Sequence, residues 1–145
     1  MKAVQVVKPN DLRIIDIEKP VIDEKNNVLV KIAASGICGS DVGIYLGTNA
    51  AATYPRVIGH EIVGYVVEVG ESAKKVKVGD RVIIDQVVPC GHCYACRKGR
   101  PNVCGDLHVR GVHIDGGYRE YMAVPDTDCY LVPEMLTDEE AVMIE

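Results

Sequence analysis

The sequence predicts a mainly β domain, a barrel or sandwich of short strands. Three observations carry that prediction. Short runs that alternate apolar and polar residues recur as far as Val132, clusters of Gly, Pro, Asn and Asp separate them, and the aromatic set is seven Tyr with no Phe or Trp. A core drawn from Val, Ile, Leu and Tyr favours strands over helices. At 145 residues the chain is about one domain long, enough to remove roughly 68–70% of its unfolded surface from water.

Lys2 to Val7 and Leu12 to Glu18 flank Pro9-Asn10-Asp11 as a hairpin bounded by Pro20. Val28 to Ala34 alternates again. Glu61 to Val69 and Arg81 to Ile84 are the next strands, separated by a polar turn through Glu71 to Asp80. Glu120 to Val124 and Cys129 to Val132 follow Asp115-Gly116-Gly117, a strong turn signal. The last element breaks the rhythm: Thr137 and Glu140 have capping-box spacing and open a helical run through Met143.

A net charge of −5 gives no broad attraction to a phosphate backbone, so nucleic acid is not an expected partner. MKAVQVVKPNDLR reads as an alternating strand rather than a charged leader with an apolar centre. No apolar run approaches the roughly 18 residues of a membrane span. The expectation is a cytoplasmic protein with no membrane partner, in a reducing compartment where clustered cysteines are metal ligands more often than disulfides.

Cys90, Cys93, Cys96 and Cys104 lie in a loop over residues 89–105 with the spacing CxxCxxCx7C. Two-residue gaps let successive thiolates converge on one tetrahedral zinc, and four thiolates leave no position for water or substrate. The reading is therefore structural zinc. An iron–sulfur cluster also takes four cysteines, but here the last gap is seven residues and no proline follows; disulfides or free thiols are the remaining alternative. His92 lies between two ligands and is surplus to them, a solvated loop residue. Arg97, Lys98 and Arg100 give the loop a basic, solvated edge.

A second constellation lies upstream. In SGICGSD, Cys38 follows a strand in a glycine-bounded turn, with Ser40 and Asp41 after it; in RVIGHEIVG, His60 and Glu61 precede another strand. With Glu145 they make an incomplete N/S/O set, the type in which zinc keeps one position open. Open-site zinc lowers the pKa of bound water to about 7 and would favour ionisation of a bound alcohol. Ser40 could then take the alcohol proton, and Asp41 could orient His60 by accepting its other ring N–H. Tyr45 and Arg56 neighbour the two motifs as candidates for a cleft wall. His108 and His113 read as loop histidines and Cys129 as a small buried hydrophobe.

CGSD, GHE before a strand, the CxxCxxCx7C loop, DGGYREY and the terminal AVMIE, in this order and over the whole chain, closely resemble the medium-chain zinc-dependent alcohol and polyol dehydrogenases, in the sorbitol, threonine and sugar-acid branch. The resemblance implies a GroES-like, partly closed β-barrel with a structural zinc lobe, short helices and half of a catalytic cleft. It also implies NAD- or NADP-linked oxidation of a secondary alcohol of a polyol, sugar acid or similar small substrate. On this reading Cys38 and His60 are catalytic zinc ligands, completed by Glu61 or Glu145, and the four loop cysteines hold the structural zinc. The full-length enzyme is expected to be a homo-oligomer.

The chain departs from the family pattern twice. Many relatives carry a proton-relaying His five residues after the catalytic Cys, where this chain has Gly43; the proton is then expected to leave through Ser40, cofactor ribose and water, and threonine becomes the less favoured substrate. No GxGxxG sits between a strand and a helix. Residues 1–145 are thus expected to be the N-terminal part of the catalytic domain, without the α/β Rossmann coenzyme domain, inactive alone, and holding one zinc tightly and a second weakly or not at all. The competing reading is a non-catalytic zinc-stabilised β module used for protein interaction.

Overall fold

Alternating residues over Lys2–Lys8 (β1) turn back through Asn10 into Asp11–Asp16 (β2), with Val4 opposite Ile14. Asn10 takes a left-handed φ of 63°, a conformation that Asn tolerates better than most side chains. The strands that follow are Val28–Ser35 (β3), Arg56–Val57 (β4), Ile62–Val69 (β5), Arg81–Ile84 (β6), Val87–Val88 (β7), His108–Val109 (β8), Tyr121–Val124 (β9) and Cys129–Leu131 (β10). Among the described residues there are three short α-helices: Gly39–Leu46 (α1), Tyr94–Arg97 (α2) and Asp138–Ala141 (α3). This computed structural model describes residues 1–144; Glu145, a candidate ligand, lies outside the described residues.

The strands form a five-stranded sheet in the order β10-β6-β5-β3-β9, a three-stranded sheet β2-β1-β4, and the pair β7-β8. Every named ladder is antiparallel. β9 and β10 remain edges of the larger sheet, so the mainly β, GroES-like architecture does not close into a full barrel. The main core lies on one face of that sheet, where Val28, Val30, Val66, Val82, Met122 and Val124 pack together. On β5 the alternation sends Val66 inward while Tyr65 and Val67 stay partly exposed, as expected of a half-buried strand.

The β3–β5 ladder positions the site. Its register shifts between Ile32 and Ala34 and then pairs Ser35 with Ile62. The segment leaving β3 thereby lies beside the segment entering β5, and Gly36 N–H donates to Glu61 O at 2.9 Å. The bulge is a local device that bends one strand without losing the ladder.

Strand boundaries fall within two residues of the expected ones: the second strand ends at Asp16 rather than Glu18, and the fifth begins at Ile62 rather than Glu61. The Thr137–Glu140 capping box forms, Glu140 N–H donating to Thr137 Oγ1 at 3.2 Å and Thr137 N–H to Glu140 Oε2 at 2.9 Å. The helix it opens stops at Ala141 instead of running to Met143. The larger difference is α1. SGICGSD was expected to be a turn, but Cys38 is the N-cap of an eight-residue helix that Gly47 ends in a left-handed conformation.

Removing the side chain of Met122, which is 1% exposed in the main core, leaves a cavity that close-packed strands cannot refill. Met122→Ala is expected to lower unfolding free energy by about 2–5 kcal/mol, read as a shift in the urea midpoint at constant m-value.

Candidate functional site

The cysteine loop builds a closed site from local elements. Cys90 precedes the turn at Gly91, Cys93 is the N-cap of α2, Cys96 sits within that helix, and a 3₁₀ turn over Pro101–Val103 delivers Cys104. The four Sγ atoms lie within 4.8 Å of one another, with Cys93 3.5 Å from Cys96 and 3.9 Å from Cys104. Backbone N–H groups of Cys93 and Asp106 point at the sulfurs of Cys90 and Cys104, each at 3.4 Å. These contacts favour thiolates. The Cys96 N–H and thiol bring Cys93 down to about 6, while burial and the adjoining Cys93 push Cys96 up to about 12. All six cysteines are free of disulfides. Four convergent sulfurs, none bridged, fit one tetrahedral zinc and offer it no open position.

His92 stays outside this cluster: it is exposed, and its Nδ1 contacts Cys90 O at 2.8 Å. His108 and His113 meet edge to face with ring centres 5.8 Å apart, and His113 Nδ1 accepts the Val109 N–H. Neither joins a metal-type cluster among the described residues. Cys129 is buried in the main core, and burial pushes its thiol up to about 12.

The second group assembles where β3 ends and β5 begins. Ligand atoms of Cys38, His60 and Glu61 lie within 4.8 Å of one another, with His60 buried and the other two half-buried. The imidazole Nδ1 is buried without a hydrogen-bond partner, and the nearest carboxylate oxygen, Asp41 Oδ1, is 3.7 Å away. With the proton on that nitrogen, the Nε2 lone pair can accept the Ser40 hydroxyl or be given to a metal. Ser40 Oγ lies 3.3 Å from Nε2, so the hydroxyl shares the edge of the ring at which a metal would bind. A soft thiolate, an imidazole and a carboxylate, three donors rather than four, fit a zinc that retains an open position.

Asp41 does more than the sequence suggested, and does it differently. At 3.7 Å it makes no hydrogen bond to the His60 ring. Its buried carboxylate instead accepts N–H bonds from Cys38 at 2.9 Å and Gly59 at 3.0 Å. One charged side chain thus ties the backbone beside each ligand-bearing segment, and charge-assisted bonds of this kind are the strong ones.

Sequence reasoning passed over three residues here. At Gly36 a Cβ would meet Glu61 Oε2 at 1.9 Å, so a side chain there would displace the Glu61 carboxylate from its place in the group. Gly59 adopts φ +91°, and a Cβ on it would meet the Tyr118 ring at 2.2 Å. Tyr118 itself donates to Gly36 O at 2.8 Å and approaches Asp41 Oδ2 at 3.2 Å. Burial, reinforced by the Asp41 charge, raises the Tyr118 phenol well above its ordinary value, so it stays a proton donor. The signal in sequence was only its membership of DGGYREY. Tyr45 packs against a second core cluster of Val6, Ile44, Ile58 and Val112 and also lines a shallow apolar groove with Ile37 and Val42. Arg56 pairs with Asp115 at 2.9 Å and donates to Thr53 Oγ1 at 2.6 Å.

No helix among the described residues is long and apolar enough to cross a membrane. Residues 24–134 match the model of the alcohol dehydrogenase GroES-like domain. Starvation-sensing protein RspB of Escherichia coli K12 is 50% identical over 145 residues, which are all of this chain and 42% of that protein. An RspB crystal structure from E. coli CFT073, complexed with NADH, superposes with TM-score 0.90, again over all of this chain and 42% of the other. A zinc-type alcohol dehydrogenase-like protein of Haemophilus influenzae is 47% identical over 94% of this chain and 40% of its own length. Galactitol-1-phosphate dehydrogenase of E. coli superposes with TM-score 0.91 at 34% identity, over 100% of this chain and 42% of that one. The chain therefore spans less than half the length of these relatives, and it belongs to the GroES-like domain family of the medium-chain zinc-dependent alcohol dehydrogenases.

Proposed function

We propose that these residues form the zinc-bearing part of a dehydrogenase that oxidises a secondary alcohol of a polyol, sugar acid or similar small molecule, with NAD or NADP as hydride acceptor. The observation that carries this reading is the convergence of Cys38, His60 and Glu61 within 4.8 Å beside the hydroxyl of Ser40. Likeness to a galactitol-1-phosphate dehydrogenase and to an NADH-bound alcohol dehydrogenase supports the substrate class and the acceptor.

Zinc held by these three residues would polarise an alcohol oxygen and ease loss of its proton. Ser40 Oγ, at the same edge of the imidazole, receives that proton and passes it toward solvent. Gly43 has no side chain to carry it further; the nearest hydroxyl to its missing Cβ is Thr48 Oγ1 at 3.5 Å. Glu61 completes the ligand set among the described residues, and Glu145 is a second candidate carboxylate. The dinucleotide is held by residues outside 1–145, in a protein proposed to be cytoplasmic, where its thiols stay reduced, and homo-oligomeric.

Joined to its coenzyme-binding part, the protein is expected to reduce NAD or NADP in the presence of an alcohol from a polyol and sugar-acid panel, while residues 1–145 alone give no turnover. His60→Ala should lower kcat/KM by about a thousandfold, the rate equivalent of several kcal/mol of lost polarisation. Undiminished turnover in that variant would exclude the site. Absence of any alcohol oxidation would favour a zinc-stabilised interaction module.

Zinc analysis of residues 1–145 should return one firmly held metal, lost on dialysis of Cys104→Ser but retained in His60→Ala. Unchanged zinc content in Cys104→Ser would show that the loop is not the tight site.

A further inference from the structure

The Tyr118 side chain reaches the immediate neighbours of all three candidate ligands. Its hydroxyl has a single proton and two acceptors, Gly36 O at 2.8 Å and Asp41 Oδ2 at 3.2 Å, which share it in a three-centre bond that is shorter to Gly36. Gly36 is the residue whose N–H donates to Glu61 O and whose missing Cβ leaves room for Glu61 Oε2. Asp41 is the carboxylate that accepts the N–H groups of Cys38 and Gly59. The Tyr118 ring lies where a Gly59 side chain would be, one residue before His60. The backbone adds a tie of its own, since Tyr118 N–H donates to Ile58 O at 3.0 Å.

A purely packing role would need the ring alone. The hydroxyl contributes no extra packing of note, yet it is directed at two polar groups that each adjoin a ligand segment. We propose that Tyr118 is a positioning residue for the Cys38/His60/Glu61 site. Its ring spaces the His60 segment, and its O–H holds the Gly36 carbonyl and the Asp41 carboxylate so that thiolate, imidazole and Glu61 carboxylate converge. The inference rests on the proposed metal site and adds to it a residue distant in sequence whose side-chain hydrogen bonds go to Gly36 and Asp41 rather than to a ligand atom. Partners that orient ligands in this way typically govern metal affinity by about 10–100-fold.

The test is a cobalt(II) titration of the protein joined to its coenzyme-binding part, in which the four-thiolate site and the single-thiolate site give separate sulfur-to-cobalt absorption. Tyr118→Phe keeps the ring and deletes only the O–H. It is expected to bind the second cobalt about tenfold more weakly than wild type, with a shifted visible spectrum, while the four-thiolate absorption stays unchanged. Tyr118→Leu, which also loses the ring, should weaken it further. The four-thiolate signal in the same sample reports whether each variant is folded around its loop. A second cobalt that is lost in His60→Ala but held by Tyr118→Phe within about twofold of wild type, with an unshifted spectrum, overturns the role of Tyr118 alone. Wild type that takes up no second cobalt overturns the three-residue site, and the inference with it.

Discussion

In an antiparallel ladder the end of one strand lies beside the start of its partner, and here Ser35 opposite Ile62 brings the residues leaving β3 against those entering β5. Cys38 comes from the first segment and His60 with Glu61 from the second. Neither segment carries a metal-binding set by itself. Their convergence depends on the register: a slip of one residue would turn every side chain on the strand to the opposite face and separate the donors. The register shift between Ile32 and Ala34 fixes which residues face each other at the mouth of the sheet. The Gly36–Glu61 hydrogen bond carries the alignment one step beyond it.

The two clusters answer different physical problems. In the loop, four sulfurs must tolerate each other's charge, and backbone N–H groups aimed at them supply part of the compensation before a cation supplies the rest. At the sheet mouth the donors are mixed, and the buried charge is that of Asp41, 2% exposed. A carboxylate this deep is tolerable because its oxygens are met by two backbone N–H groups and a phenol. Removing any of those donors leaves charge under-solvated, so the group that organises the site is also the one most sensitive to changes around it.

The strands were legible because period-two alternation and turn residues are local signals, and β1, β3, β5, β6 and β9 fall where those signals lie. The metal-type residues were legible because their chemistry is carried by side-chain identity and spacing. Less was visible of what arranges them. α1 was hidden because Gly39 and Gly43 weaken helix propensity and because Cys38, an unusual N-cap, is secured by Asp41 reaching back to its N–H. The two-residue strands β4, β7 and β8 are too short for any periodicity to register. Gly59 is held to glycine by its φ of +91° and by the Tyr118 ring, and a side chain at Gly36 would displace the Glu61 carboxylate; only the folded chain supplies these neighbours.

Sequence separation sets a sequence in time. Cys90 and Cys104 are 14 residues apart, so their loop closes at a modest entropic cost once that stretch exists. The Tyr118 hydroxyl reaches back 82 residues to Gly36 and 77 to Asp41. Contacts of such high sequence separation close long loops and so cost more chain entropy than the local ones do. A chain emerging residue by residue would present all four loop cysteines together before Tyr118 could reach back to Gly36 and Asp41.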